Sequence, residues 1–214
     1  MKVLVVGANG QIGKHLVKML SDSGEHTPIA MIRRQDQISF FNGLGVESVV
    51  ASLEDSVGII ASTMKGCDAV VFTAGSGGET GADKTLLIDL DGAAKTIEAA
   101  KQTGAERFLM VSAIHADRRE NWTESMAPYY VAKHHADNIL RASGLAYTII
   151  RPGLLTHDPG TGKVRATENS GYGSIPREDV ASVLMHSLAN ENLYGKTFEL
   201  ISGEDDIAEA LNRL

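Results

Sequence analysis

The sequence is poor in cysteine, since Cys67 is the only one among 214 residues. A single cysteine cannot form an intrachain disulfide, and we therefore expect the protein to reside in the reducing cytoplasm. Long apolar runs are also absent, because none approaches the roughly 18–20 residues that a membrane-spanning helix needs. The apolar start of the chain ends at Gly7, which makes it too short for a signal peptide. The sequence thus predicts no membrane partner.

Basic residues are scarce as well. The chain has 20 lysines and arginines against 27 acidic residues, which gives a net charge of -7. A nucleic-acid-binding protein usually carries a basic patch, and the only adjacent Lys/Arg pairs here are Arg33-Arg34 and Arg118-Arg119. We therefore expect no nucleic-acid partner.

The seven histidines show no spacing typical of a metal site. His134 and His135 are adjacent, so on a helix they point about 100° apart and cannot both face one ion. His115 falls in a predicted loop with no evident partner, and we expect it to be a solvated loop histidine. The sequence thus predicts no metal.

Short apolar, β-branched segments alternate with segments of helical periodicity along most of the chain. In the first helical segment, for example, Ile12, Leu16 and Leu20 share one face. This alternation is typical of a parallel sheet covered by helices on both faces. The predicted strands are Lys2–Gly7, Thr27–Ile32, Glu47–Ala51, Ala69–Ala74, Arg107–Ser112 and Ala146–Arg151.

The pattern changes after Pro152, where residues 153–173 are rich in glycine and lack helical periodicity. We interpret residues 1–214 as a single α/β domain with a doubly wound parallel sheet. Residues from about 152 to 214 are expected to form a small lobe on the substrate side. The elements predicted in this lobe are a helix at Arg177–Leu188, a strand at Lys196–Ile201 and a short helix at Ile207–Leu214.

Three glycines at the end of the first strand carry the strongest local signal. Gly7, Gly10 and Gly13 are spaced G-x-x-G-x-x-G and open the first helix. The first permits a tight turn, the second lets the backbone approach a pyrophosphate, and the third allows close packing of helix on sheet. The helix N-terminus offers free N–H groups to an anion. We therefore predict a Rossmann-type dinucleotide site that also includes Asn9, Gln11 and Ile12.

The second strand is followed by Arg33 and Arg34. A site that prefers NAD commonly has an acidic residue here to bind the ribose 2′-hydroxyl. A guanidinium can instead clamp a 2′-phosphate with two hydrogen bonds. The sequence therefore favours NADP(H), with Leu53 beside the adenine and the Ala74-Gly75 pair leaving room for the nicotinamide half.

Tyr129 and Lys133 are four residues apart in a segment of helical periodicity. Residues i and i+4 share a helix face, so both side chains can meet the same ligand. We expect the ammonium of Lys133 to lower the pKa of the Tyr129 phenol. A phenol of this kind can exchange a proton with a carbonyl or an alcohol.

Taken with residues 148–153 and 176–181, these motifs resemble the short-chain dehydrogenase/reductase superfamily. More narrowly, the chain resembles its atypical NAD(P)-binding, epimerase/dehydratase-like branch. The resemblance implies a sheet with strand order 3-2-1-4-5-6 and assigns the acid/base role to Tyr129. It also implies that Lys133 binds the nicotinamide ribose, with Pro152 and Leu154 as further cofactor contacts. The fourth and fifth helices commonly form dimer interfaces in this superfamily, so a homodimer is a further expectation.

The sequence departs from the superfamily pattern at two positions. Ala113 stands where a serine or threonine usually holds the substrate oxygen, and Ser112 precedes it by one residue. We retain Ser112 as a candidate hydrogen-bond donor to substrate or cofactor. Asp89 replaces an asparagine that helps to organise a proton relay, and its carboxylate could pair with Lys133.

The predicted function is that of an NADP-dependent oxidoreductase that acts on a small carbonyl or alcohol. The substrate wall is expected at residues 115–128, with Trp122 and Met126, and at residues 154–172. A non-catalytic NADP(H) sensor or scaffold is one alternative, because Ala113 weakens the case for catalysis. A sugar epimerase or dehydratase is another, although only about 60 residues follow Arg151 to build a substrate pocket.

Overall fold

The computed structural model describes residues 1–78 and 80–214. Within these residues the chain forms one large sheet and a small two-stranded one. The strands are β1 (Lys2–Val6), β2 (Thr27–Ile32), β3 (Glu47–Val50), β4 (Ala69–Phe72), β5 (Arg107–Val111), β6 (Ala146–Pro152), β7 (Leu154–Thr156), β8 (Lys163–Thr167), β9 (Ser174–Pro176), β10 (Lys196–Ser202) and β11 (Asp205–Asp206).

Helices alternate with the parallel strands, as the sequence predicted. One of them is interrupted, because a π-helical segment, Thr85–Asp91, joins two α-helical pieces. Segments of this kind are rare and often lie at functional sites. The α-helices are α1 (Gln11–Ser23), α2 (Ile38–Asn42), α3 (Val57–Ser62), α4 (Ala82–Lys84), α5 (Gly92–Thr103), α6 (Ala127–Arg141), α7 (Arg177–Ser187) and α8 (Ile207–Asn212).

The large sheet has the order β11-β8-β10-β6-β5-β4-β1-β2-β3. Its part from β3 to β6 is parallel and has the predicted order 3-2-1-4-5-6, so the Rossmann-type sheet is confirmed. All six predicted strands begin at the predicted residue and end within two residues of the predicted end. Beyond β6, the parallel strand β10 and the antiparallel strands β8 and β11 extend the same sheet.

The central strands were recognisable because both of their faces are buried. In β1, Val3 and Val5 face a core built with α1, α7 and α8, whereas Leu4 and Val6 face a second core built with α3, α5 and α6. A strand buried on both sides has a continuous apolar sequence. The carboxyl ends of the parallel strands therefore meet at one edge, between the two helical layers.

The glycine-rich residues 153–173 contain strands that the sequence did not predict. In β8 only Val164 and Ala166 are buried, and Arg165 between them is exposed. A five-residue strand with two small apolar side chains gives a weak periodic signal, and β7 and β9 have three residues each. These short strands place the residues after Pro152 against the carboxyl edge of the sheet.

Arg107, at the start of β5, is fully buried and has no carboxylate partner among the described residues. Its Nε and Nη2 donate to the carbonyl oxygens of Leu188 and Ser187, at 3.1 and 2.8 Å, at the end of α7. Nη1 donates to the Ala146 carbonyl at 2.7 Å, and Nη2 also donates to Thr148 Oγ1 at 2.6 Å. Burial lowers the pKa of Arg107 to about 10, so the guanidinium stays charged at neutral pH. It fastens the C-terminal end of α7 to the central sheet.

Replacing this guanidinium should destabilise the whole domain. We expect Arg107→Met to lower the free energy of unfolding by about 3 kcal/mol, because several buried oxygen acceptors lose their donor. Arg165→Met, at an exposed position of β8, is the matched control and should change it by less than about 0.5 kcal/mol. Urea denaturation measures both, and equal losses would contradict the anchoring role.

Candidate functional site

In the glycine loop between β1 and α1, Gly7 and Gly13 lie too close to other backbone atoms to carry a side chain. Gly7 has a φ of +80°, and a Cβ there would lie 2.7 Å from the Ala74 backbone. A Cβ on Gly13 would lie 2.4 Å from the Gly7 carbonyl oxygen. The amide of Gly10 donates to that oxygen at 2.8 Å, and no side chain caps α1. The first-turn amides of α1, which begins at Gln11, are thus left for an external anion.

Three residues were expected at the adenosine end of the cofactor, and they differ in their exposure and in their contacts. Arg33 is exposed, and its guanidinium has no partner among the described residues. Arg34 is exposed too, but its Nε lies 3.1 Å from Asp36 Oδ1. Leu53 is buried and packs against Gly92 at the start of α5.

Lys133 lies on the sheet-facing side of α6 and is only 3% exposed. Its Nζ is 3.1 Å from Asp89 Oδ1, so the predicted ion pair is present. Nζ also donates to the Val111 carbonyl at 3.3 Å. Asp89, in the π-helical segment, is 1% exposed and its Oδ2 accepts from the Ser76 amide at 3.0 Å. Each buried charge therefore has both an opposite charge and a backbone partner.

Tyr129 lies one turn before Lys133, with Nζ 5.7 Å from its ring centroid. Burial raises the pKa of Tyr129, and the nearby Lys133 ammonium only partly opposes this. Lys133 lowers the pKa of Tyr129, as predicted. The predicted net lowering is wrong, because burial and the Asp89 carboxylate raise this pKa by more than Lys133 lowers it. Burial by itself lowers the pKa of Lys133, yet attraction to Tyr129 and Asp89 leaves it raised.

The glycine loop and the Tyr129/Lys133 pair belong to one continuous edge. Gly7 packs on Ala74, just after β4. A Cβ on the following residue, Gly75, would lie 3.2 Å from Asp89 Oδ1, and that carboxylate holds Lys133. The small residues predicted after β4, Ala74 and Gly75, thus lie between the glycine loop and the Lys133–Asp89 ion pair.

Ser112 and Ala113 follow β5 and are both buried. The Ser112 hydroxyl lies beside the Asp137 carboxylate but makes no hydrogen bond to any described residue. Asp137 Oδ2 accepts from Arg151 Nε and Nη2 at 3.0 and 2.8 Å. Burial raises the pKa of Asp137, and Arg151 opposes this. Ser112 thus faces a buried carboxylate that belongs to α6.

His115 is not the solvated loop residue that we predicted. It is 4% exposed, has a φ of +60°, and its Nδ1 lies 3.1 Å from Oε1 of the fully buried Glu199. The prediction failed because Glu199 comes from β10, more than eighty residues away. One signal was present, since an acidic residue inside the apolar strand Phe198–Ile201 requires a buried partner.

A groove of about 390 Å³ opens beside the first turn of α1. Gln11 and Lys14 line one side, and Thr156, His157 and Arg177 line the other. The buried Thr156 hydroxyl has no hydrogen-bond partner among the described residues. Thr156 lies within the predicted substrate wall, residues 154–172, but we did not single it out, because the residues after Pro152 carried no recognisable strand pattern.

Pro152 and Leu154, two further predicted cofactor residues, lie in different environments. Pro152 is buried, whereas Leu154 is 74% exposed.

Among residues 1–78 and 80–214, no three His, Cys, Asp or Glu side chains are grouped as a metal site would require. No helix in the same residues has the length and apolarity to cross a bilayer.

Comparisons with known proteins agree with this geometry. A family model described as NAD(P)H-binding matches residues 7–191. A Bacillus subtilis protein named "Uncharacterized sugar epimerase YhfK" is 55% identical over the full length of both chains. A Bacillus halodurans structure described as "Putative NAD-dependent epimerase/dehydratase" is 43% identical, with a TM-score of 0.95 over all of both chains. The oxidoreductase ylbE from Lactococcus lactis is 32% identical, with a TM-score of 0.91, over 100% of this chain and 96% of its own.

The buried pair Lys133–Asp89 should show strong energetic coupling. Asp89→Ala or Lys133→Met leaves the other charge buried without a counter-ion, and each should lower the free energy of unfolding by about 3–5 kcal/mol. The double variant should lose less than the sum, by at least about 1 kcal/mol.

The control cycle uses the pair Lys18–Asp22 on the surface of α1, whose charged atoms are 2.9 Å apart. Its coupling should not exceed about 0.5 kcal/mol. Chemical denaturation measures both cycles, and additive losses for Asp89 and Lys133 would show that the two charges do not depend on each other.

Proposed function

The chain belongs to the NAD(P)H-binding family, in the atypical branch of the short-chain dehydrogenases/reductases, and on that basis we propose that it is an NADP(H)-dependent oxidoreductase acting on a small carbonyl or alcohol. The observation that carries the proposal is the buried Lys133–Asp89 pair beneath Tyr129. Two buried charges are costly to a fold. Their position at the edge reached by the glycine loop supports a catalytic use.

The residues at this edge fit a dinucleotide. The uncapped amides at Gln11, Ile12 and Gly13 suit a pyrophosphate, and Gly10 leaves room for it. Asn9, in the same loop, would complete this contact. The unpartnered Thr156 hydroxyl suits a polar group of the nicotinamide half.

Arg33, which is exposed and has no partner within residues 1–78 and 80–214, supports a preference for NADP(H). A 2′-phosphate beside this residue would gain a bidentate guanidinium contact. Arg34 is held by Asp36, so it would contribute mainly through its charge. Leu53 packs behind this site, where an adenine ring would find an apolar wall.

Tyr129 is the proposed proton donor. Its raised pKa keeps the phenol protonated at neutral pH, which suits reduction of a carbonyl. The bound nicotinamide supplies the hydride to the carbonyl carbon, and Tyr129 gives its proton to the oxygen. Lys133 would hold the ribose and stabilise the resulting phenolate. Ser112 could help to hold the substrate only if its hydroxyl turned away from Asp137.

Two other functions have some support. The name of the Bacillus subtilis relative makes a sugar epimerase the second candidate, which would retain its cofactor and consume no net NADPH. A non-catalytic sensor would bind the cofactor without any turnover. The homodimer expected from the superfamily, and the small C-terminal lobe on the substrate side, stay predictions.

The preference for NADP(H) can be tested by thermal denaturation with NADPH, NADP, NADH or NAD. We expect NADPH and NADP to raise the melting temperature, because a ligand at about 100 times its dissociation constant adds roughly 2.7 kcal/mol. Arg33→Ala should remove most of this shift and leave any shift with NADH unchanged. Arg165→Ala is the control. A shift with the NAD pair alone would overturn the preference.

The role of Tyr129 can be tested with a panel of small ketones and phenanthrenequinone, by following the absorbance of NADPH. Tyr129→Phe should slow turnover by about 10²-fold or more, since general acid catalysis is lost, and should retain the melting shift with NADPH. Tyr147→Phe, a half-buried tyrosine of β6, should behave like the natural protein. Undiminished turnover in Tyr129→Phe would rule out this role. NADPH binding without turnover of any carbonyl would favour the sensor.

A further inference from the structure

The loop after β5 contains the only non-glycine residue with a positive φ among residues 1–78 and 80–214. This residue is His115, at +60°. A left-handed backbone is unfavourable for a residue with a Cβ, and such residues cluster at functional sites. A glycine would adopt this backbone conformation without strain. The presence of histidine therefore points to a role for its imidazole.

Glu199 fixes the orientation of this imidazole. The carboxylate is fully buried on β10 and accepts from both the backbone amide and Nδ1 of His115, each at 3.1 Å. Its other oxygen accepts from the Ser170 amide at 2.8 Å. Arg118 Nη2 lies 3.4 Å from the carboxylate. The ring is therefore held from one side by a partner that can only accept hydrogen bonds.

The arrangement also assigns the ring hydrogen. Nδ1 lies 3.1 Å from Glu199 Oε1, and in a neutral ring a hydrogen on Nδ1 suits this carboxylate and leaves Nε2 as an acceptor. Arg118 Nη1 lies 3.2 Å from Nδ1 and also donates at 2.8 Å to Asn169 Oδ1. Nε2 is buried and has no hydrogen-bond partner among the described residues. Buried polar atoms are normally paired. An unpartnered acceptor at this position therefore suits a hydrogen bond from a ligand.

The loop that carries His115 contacts the start of α6, the helix of the proposed catalytic tyrosine. Its carbonyl accepts from Trp122 Nε1 at 3.0 Å, and the Trp122 ring stacks on Tyr130 with centroids 5.7 Å apart. Tyr130 adjoins Tyr129 at the start of α6. His115 also comes two residues after Ala113, where the usual substrate-binding hydroxyl is missing.

One side chain that packs against the imidazole is itself exposed. The Tyr172 ring packs edge-on against the imidazole, with centroids 5.0 Å apart, yet Tyr172 is 83% exposed. Gly171 beside it has a φ of +74°. A ring with so few contacts can swing outward at little cost, and a substrate would take its place.

We propose that Nε2 of His115 accepts a hydrogen bond from a hydroxyl of the substrate, and that the substrate class is therefore hydroxycarbonyl compounds. The inference rests on the proposed function, which supplies hydride transfer to the carbonyl carbon and a proton from Tyr129. His115 neither gains nor loses a proton in this step. It selects the substrate and orients its carbonyl, in place of the hydroxyl absent at Ala113.

A matched pair of ketones tests the proposal, because hydroxyacetone and butanone are similar in size and only the first has a hydroxyl. We expect kcat/KM with NADPH to be at least about 10²-fold higher for hydroxyacetone, since a site built to bind a hydroxyl rejects analogues that lack it. Equal values for the two ketones would overturn the proposal and leave the oxidoreductase function standing.

Two variants separate binding of substrate from support of the loop. In Asn the side-chain amide reaches the place of Nδ1, whereas in Gln it reaches the place of Nε2. His115→Asn should lose most of the preference for hydroxyacetone, and His115→Gln should retain it within about 10-fold. A merely structural role, through Glu199, predicts the opposite order. The controls are His26→Asn and His26→Gln, at a half-buried position before β2 at the other end of the sheet.

A second measurement does not depend on turnover. We expect hydroxyacetone, added to the NADP-loaded protein, to shift the nitrogen NMR resonance of His115 Nε2, which is assigned by its loss in His115→Asn. Butanone should leave it unchanged. If neither ketone is reduced, the ketone panel still decides the oxidoreductase proposal, and a resonance that hydroxyacetone does not move overturns this one.

Discussion

The ion pair between Lys133 and Asp89 is the interaction on which the arrangement of the site depends. It joins α6 to the π-helical segment, and the Ser76 amide ties that segment to the end of β4. Charges this deeply buried are tolerable only when each has further partners, and here each has a backbone group. The pair therefore fixes the distance between the helix that carries Tyr129 and the strand end that borders the glycine loop.

The same face of α6 continues the row of buried polar groups. Tyr129, Lys133 and Asp137 are spaced by four residues, so all three point toward the sheet. Asp137 is held by Arg151 of β6, whose Nη1 also lies 2.7 Å from Asp117 Oδ2. The helix is thus attached at two points along its length, which leaves little freedom for the tyrosine at its start. The proposed proton donor is thus positioned before any substrate arrives.

Much of the fold could be predicted, for a physical reason that also explains the failures. Parallel strands such as β1 and β4 are buried on both faces and therefore have continuous apolar sequences. The strands β7, β8 and β9 are short and half-exposed, so no local pattern distinguishes them from a loop. The π-helical segment was equally invisible, because it keeps the apolar residues of an ordinary helix while it redirects Asp89.

The sequence by itself determined the positions of the central strands, the glycine loop, the basic residues after β2 and the Tyr129/Lys133 spacing. These features are local, since each depends on residues within a few positions of one another. Only the tertiary structure decided that burial raises the pKa of Tyr129, that Ser112 faces Asp137, and that Glu199 meets His115. Those outcomes depend on groups far apart in the chain, and on how completely the fold removes them from water, which no local pattern encodes.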